Sequence, residues 1–301
     1  MTEEFYLCVD VGGTEIKANL LHGDQADGEK YPSQAERGKL EILANFEQII
    51  QRQLQIVLEQ KGKLKGIGIA FPGPFDYENG ISLIKGLRKY DALYQVELKP
   101  YFQEWLVDMN FPANIPFLFE NDAVAFSIGE YVYGVGQQAD KAMFIMLGTG
   151  CGSTFIEQGE IVKNKYGLQE SGMIYQDPFL KGTIEDYLSA NGLKMVAGQM
   201  GMKETDGLAL YQASQRGSQK AQHVFREFGF LIGTALQRYV QSFQPDCIVF
   251  GGQIAGSMKW MKAGIQAGLD QGQALRTEIK ASENGMLSTC KGLVYLLKKK
   301  W

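Results

Sequence analysis

The chain has 301 residues, of which 45% are hydrophobic and 21% charged, a composition typical of a globular protein large enough for two domains. Its formal net charge of −4 argues against the strongly basic surface of nucleic-acid-binding proteins, so we expect no nucleic-acid partner. No apolar run approaches the roughly 20 residues that span a bilayer, and the first residues are acidic where a signal peptide would be basic. The four cysteines form no CxxC pair. We therefore expect a cytoplasmic protein with reduced thiols and no membrane contact.

The chain begins with two predicted strands around a glycine-rich turn, within Phe5–Leu21. Ile16–Leu21, after the turn, is apolar and β-branched, which predicts a second strand rather than a helix. The polar segment 22–39 leaves room for a third short strand, and apolar residues at helical spacing predict a helix over Glu41–Glu59. KGIGIA at Lys65–Ala70 is typical of a buried strand, which a Pro-Gly-Pro sequence ends.

The same patterns predict the remaining elements. In chain order they are a helix at Tyr101–Met109, a strand at Phe117–Glu120, a helix at Ala123–Tyr131, strands at Lys141–Met146 and Ser153–Ile156, helices at Ile184–Met200, Gly207–Arg216 and Ala221–Phe243, a strand at Cys247–Phe250 and a helix from Lys291. Strands alternating with helices in this way predict a mixed α/β sheet covered by helices. No low-complexity tract or linker rich in Pro, Gly and Ser interrupts the chain.

Glycine-rich turns follow apolar strands at VDVGGTEIK (Val9–Lys17), MLGTGCGS (Met146–Ser153) and IVFGGQIAGS (Ile248–Ser257). The first two turns lead into another strand, and the third leads towards a helix. Because glycine has no Cβ, the backbone donors of such turns can approach phosphate oxygens. None of the turns has the spacing of the Rossmann or Walker fingerprints. A tight turn without a ligand is the alternative for any one of them, but together they indicate a bound nucleotide.

Two aspartates stand where phosphoryl chemistry would need them. Asp10, in the first turn, would repel phosphate unless a cation intervened, which implies Mg²⁺ held through water. Asp122 follows Asn121 at the junction of a strand and a helix, where an Asn-Asp pair is commonly an N-cap. A carboxylate at a helix N-terminus is also held ionised and fixed in direction by the helix dipole. Such a carboxylate suits a general base that takes the proton of an acceptor hydroxyl.

The motifs DVGGTEIK, GIGIAFPGP, FENDAVAFSIGE, LGTGCGS and VFGGQIAGS occur in this order over essentially the whole chain. They resemble the ROK (repressor, open reading frame, kinase) family of sugar kinases and sugar-responsive regulators. The resemblance implies an α/β fold of two ribonuclease-H-like domains of the actin-like ATPase type, with ATP in a cleft between them. We expect residues 1–118 and 291–301 to form the N-terminal domain and residues 119–290 the C-terminal domain. We also expect a homodimer with a small-molecule sugar as substrate.

The resemblance assigns a role to each motif. Asp122 is the catalytic base and contacts the sugar, together with Asn121, Pro72 and Gly73. The phosphates and Mg²⁺ are held by Asp10, Gly12, Gly13, Thr14 and Lys17, a phosphate is contacted by Gly148, Thr149 and Gly150, and the nucleotide is lined by Gly251 and Gly252.

Most of the family carry a Glu three residues before a His, then a cysteine cluster and a second Glu. The His and the cysteines bind a structural zinc ion, and both Glu side chains bind sugar hydroxyls. Here Glu170 and Glu185 align with the two carboxylates, Met173 stands at the His position, and the cysteine cluster is missing. Because zinc takes Cys, His and carboxylate ligands, we expect no zinc. We expect apolar packing to hold this loop instead, while solvated surface carboxylates are the alternative for Glu170 and Glu185.

The leading hypothesis is an ATP- and Mg²⁺-dependent kinase that phosphorylates a hydroxyl of a hexose or hexose derivative, at the 6-position. The alternative is a sugar-binding regulator of the same family without a DNA-binding domain, since the first strand starts at about Phe5 and leaves no room for a helix-turn-helix domain. A third reading is a sugar-binding protein that has lost catalysis, against which the presence of Asp10 and Asp122 argues. The identity of the sugar stays open.

Overall fold

The computed structural model describes residues 2–203, 206–270 and 277–301. The chain divides into two compact units, Met1–Gly129 with Met286–Trp301, and Glu130–Gly285. The first crossing therefore lies within the helix Asp122–Tyr133 and the second at the start of the last helix. The sequence predicts these crossings at 118/119 and 290/291.

The N-terminal unit is a sheet with helices, built in chain order. Its elements are β1 (Glu4–Val11), β2 (Glu15–His22), β3 (Gln25–Pro32), α1 (Lys39–Glu59), β4 (Lys63–Phe71), β5 (Phe75–Asp76), β6 (Ile81–Ser82), α2 (Leu98–Asp108), β7 (Phe117–Asn121) and α3 (Asp122–Tyr133). Five strands form one sheet in the order β3-β2-β1-β4-β7. The hairpin strands β1, β2 and β3 are antiparallel, whereas β4 and β7 run parallel to β1. Thus the predicted hairpin forms, and the third strand for which the sequence left room is β3, which extends over eight residues.

The C-terminal unit repeats this plan. Its elements are β8 (Lys141–Leu147), β9 (Cys151–Glu157), β10 (Glu160–Ile161), β11 (Pro178–Phe179), β12 (Gly182–Thr183), α4 (Ile184–Tyr187), α5 (Ala190–Gln199), α6 (Gly207–Gln215), α7 (Gln219–Phe243), β13 (Cys247–Gly251), α8 (Met258–Leu269) and β14 (Glu278–Ala281), before α9 (Gly285–Lys300) rejoins the first unit. Among the described residues of this unit, five strands pair in the order β10-β9-β8-β13-β14, with β8, β9 and β10 antiparallel and β13 and β14 parallel to β8. The two sheets therefore share one strand order and one set of directions.

Helix α9 packs within the N-terminal unit on β4 and on the first turns of α3. Leu293 and Leu297 lie against Gly68 and Gly66, where an added Cβ would stand 2.9 Å and 3.2 Å from their side chains. The α3–α9 approach is closer still, since a Cβ on Gly129 would lie 1.7 Å from the carbonyl oxygen of Ser288. This contact explains why the beginning of α3 groups with the first unit rather than with the second.

Each unit has its own apolar core. In the N-terminal unit, α1 buries one face against the sheet, and its Phe46 lies within an aromatic cluster with Phe71, Tyr90 and Phe102. In the C-terminal unit, the buried face of α7 packs against α8 and the sheet. No helix of the described residues is both long enough and apolar enough to cross a membrane.

The prediction of one helix over Ile184–Met200 was wrong, because two helices occupy this range. Thr183 caps α4 through the Asp186 amide, and Ser189 caps α5 by accepting a hydrogen bond from the Gly192 amide. A second N-cap inside the segment starts a new helix, and the apolar spacing does not reveal it. The strand β14 was not predicted.

Candidate active site

In the N-terminal unit the predicted site residues gather at one edge of the sheet. Strands β1, β4 and β7 are parallel neighbours, so their carboxyl ends share an edge, the usual position of ligand sites in such sheets. Asp10 pairs in register with Ala70, and Phe71 pairs with Asn121. The glycine turn after β1, the Pro72–Gly73 turn after β4 and Asp122 after β7 therefore come together.

The Gly12–Thr14 turn has its carbonyl oxygens engaged inside the unit. The Tyr90 hydroxyl donates to the carbonyl of Gly12 at 2.9 Å, and the Ser33 hydroxyl donates to that of Gly13 at 2.7 Å. The Ser33 amide donates to the carbonyl of Thr14 at 3.1 Å. Because carbonyl oxygens would repel a phosphate, their engagement favours the turn as an anion cradle.

Asp10 and Asp122 place two negative charges at this edge. Lys17 Nζ lies 3.5 Å from Asp10 Oδ2, and yet burial raises the pKa of Asp10 above its ordinary value. Burial, followed by the charge of Asp10, raises the pKa of Asp122 to about 6, against the lowering effects of the Ala123 amide and the Lys89 charge. Neighbouring carboxylates disfavour each other's ionisation unless a cation is present. Two carboxylates are a donor set that fits Mg²⁺, which takes one or two of them and completes its shell with water and phosphate oxygens.

Asn121 is the N-cap of α3. Its Oδ1 accepts hydrogen bonds from the amides of Ala123 at 2.9 Å and Val124 at 3.3 Å, while its Nδ2 donates to the Tyr77 hydroxyl at 3.1 Å. The Tyr77 hydroxyl donates to the Phe71 carbonyl at 3.0 Å and would lie 3.3 Å from a Cβ on Gly73. Tyr77 thus links the Pro72–Gly73 turn to Asn121.

In the C-terminal unit, Glu185 lies against the Gly148–Gly150 turn. Its Oε2 accepts a hydrogen bond from the Cys151 amide at 3.0 Å and would lie 2.4 Å from a Cβ on Gly150. The turn is also tied to the start of α5, because the Ala190 amide donates to the Gly148 carbonyl at 2.8 Å. A residue predicted to bind sugar and a turn predicted to bind phosphate are therefore in direct contact. Thr149, at the tip of the turn, is exposed.

Gly251 and Gly252 lie at the carboxyl end of β13, next to the end of β8 that precedes the Gly148–Gly150 turn. Gly252 has a φ of 84°, and a Cβ there would stand 2.3 Å from the Leu147 carbonyl oxygen. Only glycine fits both the conformation and the contact. The Gly148–Gly150 turn and Gly251–Gly252 therefore lie side by side and form the second group of predicted site residues, those of the C-terminal unit.

The loop before Glu185 is held by the apolar packing expected from the sequence and by polar contacts that were not expected. Ile174 is buried in the core of the unit and Phe179 packs against that core and against the Tyr187 ring, whereas Leu180 is 66% exposed. The main polar anchor is the buried Asp177, which lies 3.0 Å from Arg238 Nη2, accepts a hydrogen bond from Gln169 Nε2 at 3.0 Å and also bonds the Tyr239 hydroxyl. These contacts fix the loop to α7.

Glu170 is exposed, and no contact joins it to Glu185 among the residues that the structure describes. Within the same residues no three His, Cys, Asp or Glu side chains are grouped closely enough to hold a metal ion. The absence of zinc stays a prediction.

The sequence did not reveal Ser33, Lys89 and Tyr90, which contact the first glycine turn, or Tyr77, which joins the Pro72–Gly73 turn to Asn121. Tyr90 is joined to Gly12 across 78 positions, so no local spacing marks it. The one available signal was the run of three cations and two tyrosines in KGLRKYDALY, a segment for which the sequence predicts no helix or strand.

Comparison with known proteins identifies the family. The model of the ROK family matches residues 6–300. The chain belongs to the ROK family. It is 25% identical over 283 residues to a glucokinase of Halalkalibacterium halodurans, covering 85% of this chain and 82% of that protein.

Solved structures of the ROK family have the same fold. A Streptomyces griseus ROK glucokinase in complex with glucose and AMPPNP has a TM-score of 0.77 at 19% identity, covering 98% of this chain and 99% of that one. A ROK transcriptional regulator, described as a homologue of the Escherichia coli MLC protein, also has a TM-score of 0.77, at 18% identity, covering 99% of this chain and 81% of that one. The predicted fold is confirmed: the chain has the mixed α/β, actin-like ATPase architecture with a five-stranded sheet in each unit.

Proposed function

We propose that this ROK protein is an ATP-dependent sugar kinase that phosphorylates a hexose or hexose derivative on its 6-hydroxyl. The observation that carries the proposal is the position of Asp122. Its carboxylate stands at the N-terminus of α3, on the same sheet edge as the Gly12–Thr14 turn and Asp10. A base and an anion cradle at one edge suit transfer of a phosphoryl group to a hydroxyl.

Asp122 supplies the general base. With a pKa raised to about 6, it is ionised near neutral pH, yet it is a stronger base than an ordinary aspartate. Its Oδ atoms orient the sugar hydroxyl and take its proton as the oxygen attacks phosphorus. The 6-hydroxyl fits this role because, as a primary alcohol, it extends furthest from the sugar ring.

The other residues bind and orient the reactants. Asp10 would hold Mg²⁺ through water, and the ion when bound neutralises phosphate charge. The backbone of Gly12–Thr14, with Lys17, receives phosphate, and the Gly148–Gly150 and Gly251–Gly252 turns of the C-terminal unit contact the nucleotide. Asn121 has its Oδ1 committed to the cap and its Nδ2 bonded to Tyr77, which leaves one N–H for a sugar oxygen. Glu185 accepts hydrogen bonds from sugar hydroxyls.

The glucokinases among the relatives and the AMPPNP complex of the Streptomyces griseus neighbour support the kinase assignment. The transcriptional regulator among the structural neighbours supports the second candidate function, a sugar-responsive regulator. A regulator has no need of a carboxylate poised as a base.

The deciding experiment measures ADP release by the purified protein with ATP and Mg²⁺ across hexoses, N-acetylated hexosamines and β-glucosides, followed by NMR assignment of the phosphorylated position. At least one sugar should give turnover that Asp122→Asn lowers by roughly 10²–10⁴-fold, the usual contribution of a general base. Sugar binding in calorimetry without turnover on any sugar would favour the regulator. Turnover that yields another phosphate ester would correct the 6-position.

A further inference from the structure

The segment from Leu87 to Asp91 is clamped against the first glycine turn. Tyr90 is fully buried, donates its hydroxyl hydrogen to the Gly12 carbonyl at 2.9 Å and donates its amide hydrogen to the Ala35 carbonyl at 2.6 Å. On its other side, the Asp91 carboxylate accepts hydrogen bonds from the amides of Leu87 at 3.1 Å and Arg88 at 3.0 Å. The backbone of the residue between them, Lys89, is therefore fixed from both directions.

The Lys89 side chain lies along the glycine turn itself. A Cβ built on Gly13 would stand 3.1 Å from Lys89 Cδ and 4.0 Å from Lys89 Nζ. The stem of the lysine thus occupies the space that a larger residue at position 13 would take, and its ammonium group ends beside the turn. Lys89 is half-buried, whereas Lys85, Leu87 and Arg88 in the same segment are exposed.

Among the described residues, no charged side chain at this sheet edge pairs with the Lys89 ammonium group. Asp10 already has Lys17 at 3.5 Å. Lys89 makes neither an ion pair nor a side-chain hydrogen bond with any residue that the structure describes. Its charge still reaches Asp122, because it lowers the pKa of that carboxyl against the effects of burial and of Asp10. A half-buried cation held beside an anion cradle and two carboxylates, without a partner of its own, is placed to meet an anionic ligand.

We propose that Lys89 is a further catalytic residue of this protein, whose ammonium group binds a non-bridging oxygen of the phosphoryl group that is transferred. This inference rests on the proposed kinase function. In the reaction the sugar oxygen bonds to the γ-phosphorus, the bond from that phosphorus to the β,γ-bridging oxygen breaks with its electron pair staying on ADP, and the hydroxyl proton passes to Asp122. Negative charge is spread over the non-bridging oxygens in the transition state, so a fixed cation there stabilises it. Lys89 would also keep Asp122 ionised.

The test compares Lys89→Met with Lys85→Met, which removes the same charge from an exposed position four residues earlier. We expect Lys89→Met to lower kcat by roughly 10²–10³-fold with little change in the sugar KM, and Lys85→Met to leave both constants near wild type. Lys89→Arg should keep a measurable part of kcat because it retains the charge. An unchanged thermal midpoint checks that Lys89→Met is folded. A kcat for Lys89→Met within about threefold of wild type would overturn the proposal.

A binding measurement supplies a second readout that does not need turnover. Calorimetry with Mg²⁺ should show Lys89→Met weakening AMPPNP about tenfold while ADP binding stays within about twofold of wild type, since only AMPPNP carries the γ-phosphoryl group. Equal loss for the two nucleotides would contradict the contact. If the wild-type protein phosphorylates no sugar, the kinase proposal fails, and the AMPPNP-to-ADP comparison still decides whether Lys89 meets the terminal phosphoryl group.

Discussion

Replacement of Asp122 by Asn should stabilise the protein at neutral pH while it abolishes most of the activity. The pKa of Asp122 is raised from 3.8 to about 6, so the folded protein holds this proton at pH values at which the unfolded chain has lost it. The wild-type free energy of unfolding therefore falls as pH rises through this interval and stays low above it. An Asn side chain is neutral at every pH, so the free energy of unfolding of Asp122→Asn does not fall with pH at this position. The Asn side chain can also keep the local geometry, because Asp122 Oδ1 accepts from the Ala123 amide and an amide oxygen can do the same.

The size of the effect follows from the shift. The pKa difference between 3.8 and about 6, at roughly 1.4 kcal/mol per pH unit, corresponds to a loss of about 3 kcal/mol in the free energy of unfolding of the wild-type protein. Asp122 is half-buried, and water that reaches it screens part of this energy, so the figure is an upper bound. The advantage of Asp122→Asn over wild type should therefore grow between about pH 4 and about pH 7 by up to about 3 kcal/mol.

Urea unfolding of the ligand-free protein at both ends of this pH range measures the difference. Asp108→Asn, which removes an exposed carboxylate at the end of α2, is the matched control and should show no comparable change with pH. If the free-energy difference between Asp122→Asn and wild type were the same at both pH values, the raised pKa would not belong to Asp122. Asp122 would then not be the base with the raised pKa.

Four further outcomes are expected. The kcat/KM for sugar should fall about tenfold per pH unit below about pH 6, as Asp122 takes up its proton, and initial rates across the acid range would show a flat profile if another group were the base. Gly150→Ala should lower kcat/KM by on the order of tenfold or more, because the new methyl would stand 2.4 Å from Glu185 Oε2, whereas Gly198→Ala meets nothing within 4 Å and should be silent in the same assay. Asp177→Ala should reduce the urea-unfolding free energy by roughly 1–3 kcal/mol, because it leaves the buried Tyr239 hydroxyl without its acceptor while the half-exposed Arg238 turns to water, and a neutral result would show that these polar contacts do not hold the loop before α4. Elemental analysis should find no stoichiometric zinc and zinc-selective chelators should leave the thermal midpoint unchanged; one zinc ion per chain would refute this.

Local patterns predicted the elements that carry the candidate site. The hairpin around Gly12 and Gly13 and the strand-to-helix junction at Asp122 depend on residues within a few positions of one another, so periodicity and turn chemistry are sufficient to find them. The two glycine turns that lead into a second strand, one in each half of the chain, correspond to the hairpins with which the two sheets repeat one plan.

The parts that sequence reasoning missed depend on contacts between distant residues. Tyr90 reaches Gly12 across 78 positions, and Asp177 reaches Arg238 across 61. The sequence immediately around Tyr90 or Asp177 does not indicate a partner so far away along the chain. The apolar content of the loop at 173–180 correctly favoured packing of Ile174 and Phe179, but the anchoring of Asp177 depends on Arg238 and Tyr239 of α7, which the loop sequence does not contain.

The return of α9 to the first sheet sets an order of events during synthesis. The faces of Gly66 and Gly68 on β4 stay uncovered until Leu293 and Leu297 have been made, although β4 itself is among the first strands to leave the ribosome. The whole of the second unit is translated in the interval and can fold before the first is complete. The N-terminal unit therefore cannot reach its final structure before α9 has been made, and its β4 surface is apolar area that is exposed during that interval.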